Sequence, residues 1–166
     1  MAIMRILKHL LLPGWWVRRA FPPAALQAIE HAIGEAEGGH CGELRFVIEG
    51  PRPLAALLRG ESPRERAIEV FSQLRVWDTE HNNGVLIYVQ VVDRRVEIVA
   101  DRGIARRVEQ GQWEGICRAM ESCFRDRAYR RGALEAIERA GRLLALHFPA
   151  RPGSGNELPD RPVVLG

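Results

Sequence analysis

The chain has 166 residues, of which 46% are hydrophobic and 27% are charged, with a formal net charge of +3 at pH 7. This length and composition predict one globular domain that can bury its own core without a metal or disulfide staple. The 24 basic residues, nearly all arginine as in GC-rich bacterial genomes, are interspersed with 21 acidic ones. Nucleic-acid binding needs a segregated basic face, so we expect no nucleic-acid partner.

The first 21 residues form a distinct segment in which basic residues interrupt an apolar stretch. Pro13-Gly14 breaks this stretch, and arginines follow where a signal peptide would place small residues. We therefore expect neither secretion nor a membrane span, and a cytoplasmic location. Two interpretations remain open: a short helix packed on the domain, or an interfacial segment in which Trp15 and Trp16 contact a membrane surface.

The next part of the chain alternates between helical and strand patterns. Helical spacing of apolar residues begins after Pro22-Pro23 and ends at Gly38-Gly39. Alternation over residues 43–49 predicts a strand. Ser62-Pro63-Arg64-Glu65 combines a capping box with a proline at the first helical position, so it predicts the start of another helix.

Residues 77–103 are the most informative part of the sequence. The turn-forming Asn82-Asn83-Gly84 leads into an apolar strand over residues 85–92, and a turn centred on Asp93 leads into a second strand over residues 95–100. The short connection predicts an antiparallel hairpin. The almost unbroken apolar run of the first strand predicts that both of its faces are covered.

Two helices follow the hairpin, with apolar stripes that include Trp113 and Ile137. Together these elements predict an α/β fold over residues 22–149, a three-layer αβα sandwich with a mixed β-sheet that contains the hairpin centrally. Residues 150–166 predict an extended and partly mobile tail, whose terminal Val163-Val164-Leu165 docks on the body.

The ordered set of these features resembles the TPM-domain family. The matching residues are Gly42-Glu43-Leu44, Asn82-Asn83-Gly84-Val85-Leu86-Ile87, Phe124, Tyr129 and Gly132. The resemblance implies the αβα sandwich, a bound Ca²⁺ or another divalent cation in some members, and an acid phosphatase activity attributed to plant members. Many members carry a signal peptide and a membrane anchor, and we expect this chain to be a short variant without them.

Side chains with hard oxygen atoms flank the predicted hairpin at its open end. Ca²⁺ binds about six to eight oxygens, and the candidate ligands are Asp78, Glu80, Asn83 and Asp101. Asp101 directly follows a strand, and open α/β sheets bind ligands beyond the carboxyl ends of their strands. The competing interpretation is that these residues form turns and caps at a solvated edge. The family commonly has Gly-Tyr-Gly where this chain has Asp101-Arg102-Gly103.

The sequence contains no recognisable catalytic set, and the catalytic residues stay unassigned. Arg94, Arg102 and Arg106 are candidates to bind an anion such as phosphate, or they pair with neighbouring carboxylates. We therefore expect a non-catalytic domain that binds a divalent cation and a protein partner, without an organic cofactor. The alternatives are a metal-dependent phosphatase that uses activated water and a peripheral membrane or oligomeric interaction module.

Overall fold

A computed structural model describes residues 2–166, except the side chain of Ala2. A four-stranded mixed sheet lies between two layers of helices, which confirms the predicted αβα sandwich. The strands are β1 (Glu43–Glu49), β2 (Gly84–Gln90), β3 (Arg95–Ala100) and β4 (Val163–Leu165). The helices are α1 (Ala2–Leu11), α2 (Trp15–Ala20), α3 (Pro23–Glu37), α4 (Leu54–Leu58), α5 (Pro63–Gln73), α6 (Arg102–Ala105), α7 (Gln110–Arg125) and α8 (Tyr129–His147).

The sheet has the strand order β3-β2-β1-β4. β1 runs parallel to both β2 and β4, and the predicted hairpin is present as the antiparallel pair β2 and β3. The terminal segment that was expected to dock on the body is β4, where Val163 lies beside Val47. The hairpin thus occupies one half of the sheet, with β2 inside and β3 at the edge, and it is not central as predicted, because β3 has no further strand beside it within residues 2–166.

The two faces of the sheet carry separate hydrophobic cores. On one face, Phe46 and Ile87 are buried against α3, α7 and α8, together with Phe124. On the other face, Leu86 packs with Val70 of α5 and with part of the C-terminal tail. Because both faces are covered, β1 and β2 are buried at every residue, which explains the apolar run of β2.

α5 begins at the predicted capping box. The Glu65 amide donates to Ser62 Oγ at 3.2 Å, and the Ser62 amide donates to the Glu65 carboxylate at 2.8 Å. Pro63 occupies the first helical position, where its missing N–H group costs nothing. After Gln73 the chain turns away from helical geometry because Arg75 adopts a left-handed conformation with φ of 54°. The cap and this turn bring the chain to the amino end of β2.

The N-terminal segment contains two helices. α2 packs on the main core through Val17 and Ala20, which are both buried. α1 contacts the body mainly through polar side chains, and its apolar side chains are largely exposed. Met1, the first residue of this segment, lies outside the described residues. Across residues 2–166, the helices lack the combination of length and apolar character that crossing a membrane requires.

Candidate functional site

The open end of the hairpin brings two loops into one continuous edge of the sheet. The Asp101 amide donates to the Gly84 carbonyl at 2.9 Å, and the Gly103 amide donates to the Asn82 carbonyl at 2.8 Å. These two hydrogen bonds hold the chain that enters β2 against the chain that leaves β3. We call this the hairpin edge, residues 78–84 and 101–103.

Asn83 is fully buried at the hairpin edge. Its Nδ2 donates to the Cys41 carbonyl at 2.9 Å, and its backbone amide donates to Thr79 Oγ1 at 3.1 Å. Its Oδ1 atom is buried and has no hydrogen-bond partner among the described residues. A buried unpaired acceptor costs about 1–3 kcal/mol, so such an atom usually marks a bound water or ion.

Asp101 is also buried, with 7% of its surface exposed, and it caps α6. Its Oδ1 atom accepts a hydrogen bond from the Arg102 amide at 2.7 Å. Its Oδ2 atom is buried and meets no hydrogen-bond donor in the part of the chain that the structure describes. Asp101 is therefore both a cap, as the competing interpretation has it, and a source of one free carboxylate oxygen.

The other two predicted ligands lie on the exposed side of the hairpin edge. Asp78 forms a surface ion pair with Arg75 at 2.7 Å. The Glu80 side chain is 79% exposed. The structure therefore places Asn83 and Asp101 on two backbone segments that are hydrogen-bonded together, and it leaves the Asp78 and Glu80 carboxylates at the surface.

The expectation that Asp101 lies at the ligand-binding end of the sheet is wrong. Asp101 does follow the carboxyl end of β3, but β3 is the antiparallel edge strand. The same edge carries the amino ends of β1 and β2, which form the parallel pair. Ligands of open α/β sheets bind beyond the carboxyl ends of the parallel strands. A cation at the hairpin edge must therefore be argued from its local oxygen atoms alone.

The three predicted anion-binding arginines do not lie together. Arg102 at the start of α6 and Arg106 directly after its end are both exposed, about one helical turn apart at the hairpin edge. Arg94 lies in the turn between β2 and β3, beyond the other end of the six-residue β3. At the rise of an extended strand this is a separation of about 20 Å. Arg102 and Arg106 are therefore the pair that can act at the same site as Asp101.

A buried polar network, which the sequence analysis did not identify, lies at the carboxyl ends of β1 and β2. Glu49 accepts hydrogen bonds from Arg66 at 3.0 and 2.7 Å, and it also accepts the Tyr88 hydroxyl. The hydrogen bonds to Glu49 raise the pKa of the Arg66 guanidinium. Burial, and then the charge of Glu49, raise the pKa of Tyr88, so this hydroxyl keeps its proton and donates a hydrogen bond to the carboxylate.

α1 covers the solvent side of this network. The Arg52 amide donates to His9 Nδ1 at 3.0 Å, and Arg5 Nε lies 2.8 Å from Asp93 Oδ2. Burial alone would raise the pKa of Asp93, but the neighbouring His9 and Arg5 outweigh it and hold this pKa below its usual value. The sequence feature that indicates these contacts is the four-residue spacing of Arg5 and His9, which places both on one face of a helix. The chain's own side chains thus occupy the edge that most favours a ligand.

A third polar cluster joins the end of α3 to the start of β1. Glu37 accepts a hydrogen bond from the Leu44 amide at 3.0 Å, and Glu43 and Asp160 are its acidic neighbours. Burial and these negative neighbours outweigh the hydrogen bond and raise the pKa of Glu37 to about 8. The Glu37 carboxyl is therefore mostly protonated at neutral pH.

The raised pKa of Glu37 predicts a specific dependence of stability on pH. The folded state holds this proton more tightly than the unfolded chain, whose pKa is near 4.5. Its contribution is complete below pH 4.5 and is lost as the pH rises through about 8. Glutamine does not titrate, so Glu37→Gln should lack this pH-dependent loss of stability. We expect the difference to be about 1–2 kcal/mol, a small value because the Glu37 side chain is partly exposed. Urea unfolding at several pH values measures it. The exposed Glu35→Gln is the control, and equal pH slopes for wild type and Glu37→Gln would contradict the prediction.

The His, Cys, Asp and Glu side chains of the described residues do not form a metal site by themselves. Within residues 2–166, no three His, Cys, Asp or Glu side chains are grouped so that they could hold an ion. Zinc and other transition metals prefer such groups. Calcium also accepts amide and backbone carbonyl oxygens, so a calcium site remains compatible with the free oxygens at the hairpin edge.

Comparison with known proteins agrees with this architecture. A family model described as the TPM domain matches residues 18–143, more than half of the chain. The chain belongs to the TPM-domain family. The fold of this TPM-domain chain is similar to the NMR structure of the BA42 protein from the psychrophilic bacterium Bizionia argentinensis sp. nov.. The two are 32% identical with a TM-score of 0.75, over 85% of this chain and 92% of that one. No curated protein matches the chain.

Some of the features described above lie inside the residues that the family model matches, and others lie outside them. The hairpin edge lies within the TPM domain, whereas α1 lies before the matched region. The buried polar network at the carboxyl ends of β1 and β2 extends across the start of the matched region, because Arg5 and His9 reach it from α1.

Proposed function

We propose that this TPM domain binds a divalent cation, most favourably Ca²⁺, at the hairpin edge. The observation that carries the proposal is the pair of buried oxygens, Asn83 Oδ1 and Asp101 Oδ2, that lack a hydrogen-bond partner within residues 2–166. Carboxylate, amide and backbone carbonyl oxygens are the ligands that Ca²⁺ prefers. Carbonyl groups of residues 78–83 and water would supply the other ligands.

Two surface carboxylates at the same edge would add negative charge to the site. The exposed Glu80 side chain has freedom to reorient toward a cation. Among the side chains of the described residues, Asp78 pairs with the exposed Arg75, and such pairs contribute about 0–1 kcal/mol. A divalent cation can replace that interaction. We therefore include Asp78 and Glu80 as outer ligands, with Asn83 and Asp101 as the inner ones.

Binding is better supported than phosphatase catalysis. Cys117 lines a cleft with Arg64 and Arg95, an arrangement that would suit a cysteine phosphatase. Burial, however, raises the pKa of the Cys117 thiol to about 12. It stays a neutral thiol at physiological pH and is a weak nucleophile. Hydrolysis by metal-activated water would instead need a phosphate held beside Asp101, where only the exposed Arg102 and Arg106 were expected to bind one.

Calcium titration followed by amide NMR tests the cation site. We expect saturable shifts in residues 78–83 and 101–103 at millimolar calcium or below. Asp101→Asn should weaken binding at least about tenfold, because it removes a charged ligand. Asparagine remains a good N-cap, so α6 should persist in this variant. The titration therefore separates loss of the ligand from loss of the fold.

Asp126→Asn is the matched control for this experiment. Asp126 is exposed and caps the far end of α7, so its substitution removes the same charge away from the hairpin edge. Calcium affinity should be unchanged. The proposal fails if no shifts occur at millimolar calcium or magnesium, or if both variants bind equally well. Shifts centred on Glu37 and Glu43 would place the ion in the other acidic cluster and would also overturn it.

A further inference from the structure

α1 is an amphipathic helix whose apolar side faces away from the protein. Arg5 and His9 attach it to the body, as described above. At 100° per residue, these two lie opposite the apolar residues of the same helix. The exposed apolar side chains of α1 are Ile3, Met4, Leu7, Leu10 and Leu11. An amphipathic helix of a globular domain normally turns its apolar stripe toward the core, so this helix is inverted.

The helices next to α1 also carry exposed apolar side chains, and α4 contacts α1 directly. Trp15 at the start of α2 is 57% exposed, and Leu58 at the end of α4 is 67% exposed. Contiguous exposed apolar surface rimmed by polar residues is uncommon on monomeric proteins and usually marks an interaction site. We call this surface the apolar face: Ile3, Met4, Leu7, Leu10, Leu11, Trp15 and Leu58.

An arginine-rich cleft adjoins the apolar face. It has a volume of about 590 Å³. We call it the arginine cleft, and its charged lining residues are Arg19, Arg127, Arg130 and Arg131. No carboxylate lines it among the described residues, although Glu135 is within 3.7 Å of Arg131 outside the cleft. Trp16 lines both this cleft and the groove beside Leu7 and Leu11, so the two surfaces are continuous.

We propose that the apolar face and the arginine cleft together bind the surface of a membrane that contains anionic phospholipids. The leucines and Trp15 would enter the boundary between headgroups and acyl chains, as interfacial helices do. The arginines would contact lipid phosphates, each basic group near such a surface contributing about 1 kcal/mol. Lys8 and Arg18, both exposed, add positive charge beside the apolar residues.

The charge of the surface favours a lipid partner over a second copy of the chain. The first acidic residue in the sequence is Glu30, so α1 and α2 carry basic groups without acidic ones. A symmetric dimer through the apolar face would bring Lys8 and Arg18 toward their own copies, and like charges at an interface oppose association. An anionic membrane complements the same charges.

Co-sedimentation with lipid vesicles tests the proposal, with divalent cations removed so that the result does not depend on the hairpin edge. We expect binding to an equal mixture of phosphatidylcholine and phosphatidylglycerol, little binding to phosphatidylcholine alone, and weaker binding at high salt. The double variant Leu7→Glu/Leu11→Glu should lower the partition coefficient at least about tenfold. Ile68→Glu/Leu146→Glu is the matched control, because it adds the same charge at two exposed apolar side chains on α5 and α8.

A second pair of variants tests the arginine cleft separately. Arg19→Glu/Arg130→Glu should weaken vesicle binding about tenfold or more. Arg118→Glu/Arg142→Glu changes the net charge equally at exposed arginines outside the cleft, and it should have a smaller effect. All four arginines are exposed, so circular dichroism should show intact folds.

Three outcomes would overturn the proposal. The first is the absence of binding to the anionic vesicles. The second is equal loss of binding in the tested and control variants of each pair, which would mean that general charge or hydrophobicity is responsible. The third is a stable dimer in light scattering that Leu7→Glu/Leu11→Glu dissociates, without vesicle binding by the wild type. That result would assign the apolar face to a second copy of the chain.

Discussion

Replacement of Glu49 by alanine is expected to lower the free energy of unfolding by about 3–5 kcal/mol. Glu49 is 5% exposed at the carboxyl end of β1, where it receives hydrogen bonds from Arg66 and Tyr88. The guanidinium of Arg52, also buried, lies 3.9 Å away. Without Glu49, Arg52 and Arg66 lose a buried counter-charge, and the more exposed carboxylates of Glu61 and Glu69 offset less of their desolvation. Urea unfolding at neutral pH measures the change.

Glu69 provides a matched control for Glu49. Arg66 contacts both carboxylates at 2.7 Å, but the side chain of Glu69 is 48% exposed. Glu69→Ala should therefore cost about 0–1 kcal/mol. The double variant Glu49→Leu/Arg66→Met should be more stable than Glu49→Ala, because it removes both members of the buried pair. Equal losses in Glu49→Ala and Glu69→Ala would show that burial does not determine the cost.

The position of this network bears on where the protein can act. The carboxyl ends of parallel strands are the usual ligand-binding edge of an open α/β sheet. Here that edge holds Glu49, Tyr88 and Arg66, and α1 covers it with Arg5 and His9. The same contacts fix which side of α1 faces outward. The contacts that cover the usual ligand edge thus leave the leucines of α1 exposed to solvent, as the proposed membrane binding requires.

Local chemistry was sufficient to predict most of the secondary structure. The strands at residues 43–49 and 95–100 have the predicted bounds, because alternation of apolar side chains and flanking turns define them within the sequence. The start of α5 was equally clear, because the capping box at Ser62 and Glu65 involves residues three apart. The order of the helices and strands then predicted their arrangement in three layers, and the family resemblance implied the same arrangement.

Features that depend on distant parts of the chain could not be predicted. The parallel pairing of β1 with β2 determines that Asp101 lies at the amino edge, and no local pattern specifies that pairing. Glu49 and Tyr88 look like ordinary strand residues until the sheet places them side by side, 39 positions apart in sequence. The orientation of α1 likewise depends on Asp93, which the sequence indicated only as a turn residue.

Substitution of Gly84 by alanine is expected to destabilise the protein by about 3 kcal/mol. The sequence suggested Gly84 as a turn residue, but it is Asn82 that takes the left-handed conformation, with φ of 50°. Gly84 is needed because a Cβ atom there would lie 2.0 Å from the Val76 carbonyl oxygen. That oxygen belongs to the backbone, so relief requires moving the loop before β2. Since the Asp101 amide donates to the Gly84 carbonyl, the movement should also disturb the hairpin edge.

Gly111→Ala is the control for this substitution. Gly111 lies in the first turn of α7, and the space around its Cβ position is open in the described chain to 4 Å. Alanine there should leave stability unchanged or raise it by about 0.5–1 kcal/mol, through helix propensity and reduced freedom of the unfolded chain. Urea unfolding gives both free energies of unfolding, and amide shifts locate the disturbance.

If Gly84→Ala behaves like Gly111→Ala, the Val76 backbone moves readily and the hairpin edge is not rigidly held. A large loss with shifts confined to residues 76–84 and 101–103 would show that close backbone packing at Gly84 holds the two loops together.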